Sequence, residues 1–565
     1  MPTLAELRAK YFAAEADLTP GRTSFPFESS GNVVETLVDG SSYFGALRQE
    51  VNTLKAPGGS GKFFYFSNWL LTLLAGSGGP VTAGSGVTSW NTSVVQPSDP
   101  FKLDDGSGAT FPDFIDELAE MSSNGTDVRA LVWVSPLALS YQNAAERAAY
   151  VYSNNVLGAL SVEALRKKPG MAQRACLNTL AHPLASIHIK MVVCGDALSA
   201  RAYVSGIDFD QSRSDSNAHP NPAGWHDVGI RIDGPGVMGV FNAYSEMWNE
   251  LISSKQQTFR IDKHRVENFV DGTPPIRGTT LAGSGVAGGV SMQVLRTIPQ
   301  MNFAFGSTDR VPVGCFKRLV SGFRRDPWKS EPNGVFAFKA SLEKAIANAE
   351  KYIYVEDQGF WGAPIMDWLR VRLAARPALK LILVQRADPA DGPSALHFLT
   401  NAINYHLGSA GVNMDGQVAF YARDDGVVMH GKVWIIDDEF MIVGSANAFR
   451  RSLYTDGEIS VGVIDDDSGA SGAAVTLRRQ LWGEYCDLQT ESERSVLNGI
   501  DTALKIWDDT WGGIGAAPAA LNPSFVRKKV PFEEGPASDQ WPDLDLTPLP
   551  DVAYDQFDAD SRLEY

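Results

Sequence analysis

The same short pattern occurs twice in this chain, and it constrains the fold more than any bulk property. SIHIKMVVCGD (186–196) and VVMHGKVWIIDD (427–438) each carry a histidine and a lysine two residues apart. Bulky, mostly apolar residues and an aspartate follow in both. On a strand, side chains at i and i+2 share a face, so His188 projects with Lys190 and His430 with Lys432. The apolar letters cover both faces, which predicts buried central strands. A buried ammonium is costly without an anionic partner, so each motif calls for a carboxylate from elsewhere.

The surroundings of the two motifs are also alike. ARAYVSGIDFD follows the first and FMIVGSANAF the second. Each is read as the returning strand of a hairpin, with Asp208 and Asn447 just beyond Gly206 and Gly444. GWHDVGIRIDGPG then opens a strand at Asp227, as EISVGVI does at Glu458. Each half thus offers an imidazole, an ammonium, an Asp or Asn, and a later carboxylate. Upstream, NVVETLVDGSSYFGALRQEV, GKFFYFSNWLL and VRALVWVS in one half answer SMQVLRTIP, ASLEKAIANAEK, YIYVEDQGF and LKLILVQR in the other. Strands alternating with helical stretches predict α/β architecture. The expected organisation is an N-terminal helical extension (1–30), one α/β half (31–285), a second (286–512) and a Pro-rich acidic tail (513–565).

Composition narrows the function classes. The 565 residues are 44% hydrophobic and 20% charged, as in a globular protein. The net charge is −17; Glu533–Tyr565 alone carries ten acidic residues and one basic. The body remains acidic without it, which disfavours nucleic acid as partner. No apolar run approaches a membrane span. The first residues lack the pattern of a secretory signal, which predicts a cytoplasmic protein or one exported without a signal. Cys176, Cys194, Cys315 and Cys486 show no CxxC spacing, so buried thiols rather than a zinc site are expected. The Gly-rich stretches 76–87 and 281–290 lack a nucleotide-binding context; the second marks a junction between the halves.

These motifs resemble the phospholipase D superfamily, whose HxKxxxxD signature occurs twice per active site. His430, Lys432 and Asp437 fit it, with GSAN at 444–447 and Glu458 beyond. SGIDFDQSRSD…GWHDVGIRIDGPG, QVLRT (293–297) and YIYVEDQGF (352–360) look like further segments of true phospholipases D. The resemblance runs over roughly residues 31–490. Some letters depart from it: Asp196 falls one place late, Ser205 replaces a glycine, Gly431 a frequent serine, and Phe449 a common asparagine.

The resemblance implies two α/β halves, each a mixed sheet flanked by helices, packed as a pseudo-twofold bilobal fold. It implies hydrolysis of glycerophospholipids to phosphatidate and free headgroup, with transfer to alcohols. The lysines would neutralise phosphoryl oxygens. His188 would attack phosphorus and His430 serve as general acid and base, by way of a phosphohistidine. Asp227 and Glu458 are expected to orient His188 and His430, respectively, and Asp437 to form a turn. Asn447, Asp208 and Ser445 are candidate substrate contacts, as are Trp225 and Trp361 at the cleft mouth. No cofactor or metal is called for, and the expected partner of this monomer is a phospholipid surface. Alternatives are another phosphodiesterase of the superfamily (a phosphatidyltransferase or nuclease), a phospholipase acting as a toxin, or a non-enzymatic scaffold. His226 is assigned to packing and the other histidines to structure or surface.

Overall fold

A computed structural model describes residues 2–18, 26–58, 60–74, 100–134, 150–181, 185–220, 224–261, 264–283, 288–299, 327–360, 362–386, 403–408, 411–423, 426–448, 450–465, 472–486, 488, 490–511 and 527–529. The first half contributes β1 (Phe27–Val38), β2 (Phe63–Asn68), β3 (Asp127–Trp133), β4 (Ala175–Asn178), β5 (Met191–Gly195), β6 (Ala200–Ser205) and β7 (Val228–Asp233). The second contributes β8 (Val290–Ile298), β9 (Tyr352–Glu356), β10 (Lys380–Arg386), β11 (Val418–Arg423), β12 (Val433–Ile436), β13 (Phe440–Gly444) and β14 (Glu458–Asp465). All belong to one 16-stranded mixed sheet. β1 and β8 pair antiparallel at its middle, Phe27 opposite Val294.

Outward from that pair the order is β1-β7-β6-β5-β2-β3-β4 on one side and β8-β14-β13-β12-β9-β10-β11 on the other. In both arms the strands run antiparallel until the two outermost pairings, which are parallel. The repetition seen in the sequence is therefore a repetition of strand order. VWII in β12 and YIYVE in β9 are β-branched and aromatic on both faces and are buried throughout.

Helices cover the sheet. α1 (Leu4–Tyr11) and α2 (Asp39–Lys55) come first, then α3 (Phe114–Ser123), α4 (Tyr150–Arg166) and α5 (Val237–Ser253); α6 (Ala337–Asn348), α7 (Ala363–Ala375) and α8 (Ala473–Tyr485) follow. α1 lies against the second half: Tyr11 stacks on Phe440 at 5.0 Å, and its hydroxyl donates to Glu439. The N-terminal extension is thus part of the folded body, and β1 already begins at Phe27. Arg527–Lys529 from the acidic tail pairs with β11 at the sheet edge. The rest of the tail lies outside the described residues, as do the 76–87 loop, residues 284–287 of the 281–290 junction and Cys315. Cys176, Cys194 and Cys486 are buried. No helix among the described residues is long and apolar enough to cross a membrane.

The expected turn at Asp437 is a tight hairpin: Asp437–Glu439 connect Ile436 to its partner Phe440, and the Glu439 N–H donates to Ile436 O at 3.0 Å. Asp437 and Asp438 both have positive φ, 59° and 63°, the left-handed pair that matches strand twist in such turns. The buried Asp437 carboxylate also accepts backbone N–H groups from Glu350, Lys351 and Tyr352. It therefore fixes the start of β9. Asp437→Ala should cost about 2–4 kcal/mol, the loss of several hydrogen bonds to a buried charge. Chemical denaturation would measure this fall, with kcat retained below the transition.

Candidate active site

The histidine–lysine pairs stand at the mouths of strands rather than within them. Ladder pairing begins at Met191 and Val433, just after Lys190 and Lys432. The reason is that each histidine's backbone is claimed by the opposite half. Val428–Met429 runs parallel to Trp225–His226, and the His430 N–H donates to His226 O at 2.8 Å. Ile187 bridges Gly457 in parallel, and the His188 N–H donates to Gly457 O at 2.8 Å. Each histidine is thus laid beside the residue that precedes the other half's carboxylate.

This corrects the expected pairing. His430 Nδ1 meets Asp227 Oδ2 at 2.6 Å. His188 Nδ1 meets Glu458 Oε2 at 3.2 Å and the Ser445 carbonyl at 2.9 Å. Asp227 belongs to His430 and Glu458 to His188, both across the halves. With Nδ1 engaged, Nε2 is the nitrogen left for chemistry on each ring. The imidazoles keep 11% and 6% of their side-chain surface open, while Lys190 and Lys432 are 1% or less exposed. An incoming group therefore meets the rings before the ammoniums.

Each lysine turns back on its own motif: Lys190 Nζ donates to His188 O at 3.0 Å, and Lys432 Nζ to His430 O. Asp208 serves Lys190 (3.5 Å), while its other oxygen caps the Trp69 and Leu70 N–H groups. It is a lysine partner rather than a substrate contact. Ser445 is likewise a positioning residue, donating from Oγ to Glu458 at 2.5 Å. Ser452 Oγ holds the other Glu458 oxygen at 2.7 Å. In the first half Gly206 takes the place of Ser445. A Cβ there would lie 2.2 Å from Asp227 Oδ1, so glycine makes room for the carboxylate. Asn447 Oδ1 is buried without a hydrogen-bond partner, and Trp361 lies outside the described residues, as does Phe449. Phe360 is buried against Trp434, an ordinary core residue.

Three residues were missed by sequence reasoning. Asp357 follows β9, and its carboxylate accepts the Ala448 and Gly359 N–H groups at 2.8 and 2.9 Å. Strand register makes Asn68, at the end of β2, its counterpart, because Ser67 pairs with Met191 as Glu356 does with Val433. One half therefore holds Asn68 with Asp208, and the other Asp357 with Asn447. The acid and the amide have exchanged places, and an in-register comparison of the halves would have exposed it. Trp69 meets His188 edge to face at 5.8 Å, as Trp225 meets His430 at 5.0 Å. Arg213 lies over Trp225, and its Nε and Nη1 are buried without partners. It adds a third cation beside the two lysines.

This density of positive charge sets the titration. Burial, then Lys190 and Lys432, hold the His188 pKa well below its ordinary value; burial, then Lys432, Arg213 and Lys190, do so for His430. Both rings are neutral near pH 7, the form a nucleophile needs. Burial raises Asp227 to about 6, Glu458 to about 7 and Asp357 to about 7, with the lysines opposing. It lowers Lys432 to about 8 against the pull of Asp227 and Asp357. The site thus gathers three buried cations and two oriented imidazoles, suited to an anion that receives a nucleophile on one side and a proton on the other.

Residues 342–478 match the family described as cardiolipin synthase, PLD-like domain. Phospholipase D gamma 3 of Arabidopsis thaliana is 22% identical over 420 residues, which cover 52% of this chain and 46% of that protein. Phospholipase D alpha 1 of Nicotiana tabacum is 35% identical over 100 residues, 15% of this chain and 12% of that one. The chain thus spans under half the length of these relatives. Among solved structures, phosphatidylserine synthase of Haemophilus influenzae Rd KW20 aligns at 9% identity and a TM-score of 0.43, covering 79% of this chain and 84% of that one.

Proposed function

The chain belongs to the phospholipase D superfamily, and from that premise we propose that it cleaves the headgroup ester of glycerophospholipids. The products are phosphatidate and a free alcohol, with transfer of the phosphatidyl group to an added alcohol as a second outcome. The crossed pairing of His188 with Glu458 and His430 with Asp227 carries this reading. It supports one site assembled from two half-sites, with two Nε2 atoms available to one phosphate. The 420-residue similarity to a plant phospholipase D supports a phospholipid substrate. The match to a cardiolipin synthase domain favours transfer to alcohols alongside hydrolysis.

In this mechanism His188 Nε2 attacks phosphorus and forms a P–N bond. His430 Nε2 gives a proton to the departing headgroup oxygen as the P–O bond breaks. Binding of the anionic phosphodiester favours the imidazolium this requires. Lys190, Lys432 and Arg213 neutralise the charge on the non-bridging oxygens as the five-coordinate transition state forms. His430 then takes a proton from water or an alcohol, whose oxygen displaces His188 from phosphorus. The lysines supply the positive charge the step needs. Asn447 Oδ1 is available to a substrate hydroxyl, and Trp69 and Trp225 flank the rings as apolar walls for lipid.

Feeding the protein a panel of phospholipids with ethanol tests the reading. Phosphatidate and phosphatidylethanol, read by lipid mass spectrometry, are the expected products; neither appearing with any common headgroup would sink it. Plasmid nicking that depends on His188 would point instead to a nuclease.

The pH profile offers a second check. Lys432 is charged below its lowered pKa of about 8 and loses its charge above it. kcat/KM, which reports the free enzyme, should fall on the alkaline side through that value. Lys432→Arg keeps a charge that does not titrate in this range, so its alkaline limb should move upward. A wild-type profile flat to about pH 10, near an ordinary lysine, would contradict the account.

A further inference from the structure

His226 was assigned to packing and His219 to structure or surface, yet the two come together with Asp39 and Glu484. One donor atom from each residue lies within 4.8 Å of the other three. All four side chains keep 2% or less of their surface. His226 Nδ1 stands 3.1 Å from Asp39 Oδ1 and 3.4 Å from Glu484 Oε2. His219 Nε2 stands 3.2 Å from Glu484 Oε1 and 3.7 Å from Asp39 Oδ2. These distances involve both oxygens of each carboxylate; with one donor atom per residue the set lies within 4.8 Å, and closing it to the roughly 3.3–3.6 Å edges of a tetrahedral ion with bonds of about 2.0–2.2 Å needs only a small contraction. Asp39 Oδ2 is buried in the cluster with no hydrogen-bond partner.

We propose that Asp39, His219, His226 and Glu484 form a structural site for a zinc-class divalent ion, separate from the phosphate-binding cleft. The outer contacts fit that role. Asp215 Oδ2 accepts from His219 Nδ1 at 2.8 Å, which leaves Nε2 for the ion. Glu356 Oε2 meets His226 Nε2 at 3.2 Å, which leaves Nδ1 for it. Arg423 donates to Glu484 at 2.9 Å. Ligating histidines are commonly fixed by a carboxylate on the far nitrogen in this way. A divalent ion would stand in for protons on the two imidazoles, which must be neutral to ligate. Two nitrogens and two carboxylates suit zinc, whereas calcium takes six to eight oxygens.

The ion would join the halves, since three ligands come from the first and Glu484 from α8 in the second. It would also hold the cleft from behind. The Asp39 N–H donates to Asp227 O at 2.8 Å, and the Asp227 N–H donates to Asp39 Oδ1 at 3.2 Å. Asp227 is the carboxylate on His430. Chelation would therefore weaken turnover without the ion touching phosphate.

Elemental analysis of the dialysed, tag-free full chain tests this without reference to catalysis, so its failure and that of the lipid-cleavage reading are distinguishable. One equivalent of zinc per chain is expected, present on purification or taken up when zinc is added to chelator-treated protein. Zinc should raise the melting temperature, and cobalt(II) should give the visible absorption of a tetrahedral site. Asp39→Asn and His219→Ala should each lose the equivalent; the wild-type result stands even if either variant fails to fold. A folded wild type that takes up no transition metal would overturn the proposal. So would calcium in place of zinc, or a full equivalent of zinc in both folded variants.

Discussion

His188→Ala and His430→Ala should each lose turnover of phosphatidylcholine by roughly 10^4-fold or more, as expected when one member of an interdependent set is removed. They should fail differently. A phosphodiester with a p-nitrophenol leaving group departs without a proton, so the general acid is dispensable for its first step. His430→Ala should then release about one equivalent of p-nitrophenol in a burst and stall, because no base activates water. His188→Ala has no nucleophile and should give no burst. Bursts from His188→Ala alone would exchange the two roles. A normal rate in either variant on the natural substrate would remove that histidine from the mechanism.

The crossed carboxylates give the second large effect. Asp227→Asn and Glu458→Gln keep the shape of each side chain but give up the charge that fixes the ring. Losses on the order of 10^2- to 10^4-fold are expected, as when an orienting carboxylate is neutralised beside a catalytic histidine. Because Asp227 holds His430, Asp227→Asn should resemble His430→Ala with the p-nitrophenyl substrate and keep its burst. Because Glu458 holds His188, Glu458→Gln should resemble His188→Ala and slow the burst itself. Asp227→Asn grouping with His188→Ala would contradict the crossing, whichever histidine is the nucleophile.

That crossing marks where the sequence stopped being legible. The duplication exposed His188, Lys190, His430 and Lys432, because the same letters recur in the same apolar setting. Strand periodicity, the Asp437–Asp438 turn and the α/β alternation followed from local chemistry and appear as expected. The partner of each histidine does not depend on spacing within a half. It depends on two short parallel contacts, 225–226 with 428–429 and Ile187 with Gly457, which form only when the halves meet. Asp357 was hidden because its counterpart Asn68 is an amide, so no carboxylate repeats there. Trp69 and Arg213 act through packing against rings, which leaves no periodic trace. His219 and His226 looked unrelated because their partners, Asp39 and Glu484, lie far away in the chain.

The central claim is that two half-sites share one phosphate and pass it through His188. The configuration at phosphorus tests it most directly, using a phospholipid made chiral by sulfur and an oxygen isotope and transferred to an alcohol. Two successive in-line displacements, first by His188 and then by the alcohol, predict retention. Inversion would mean one direct displacement and would contradict the account.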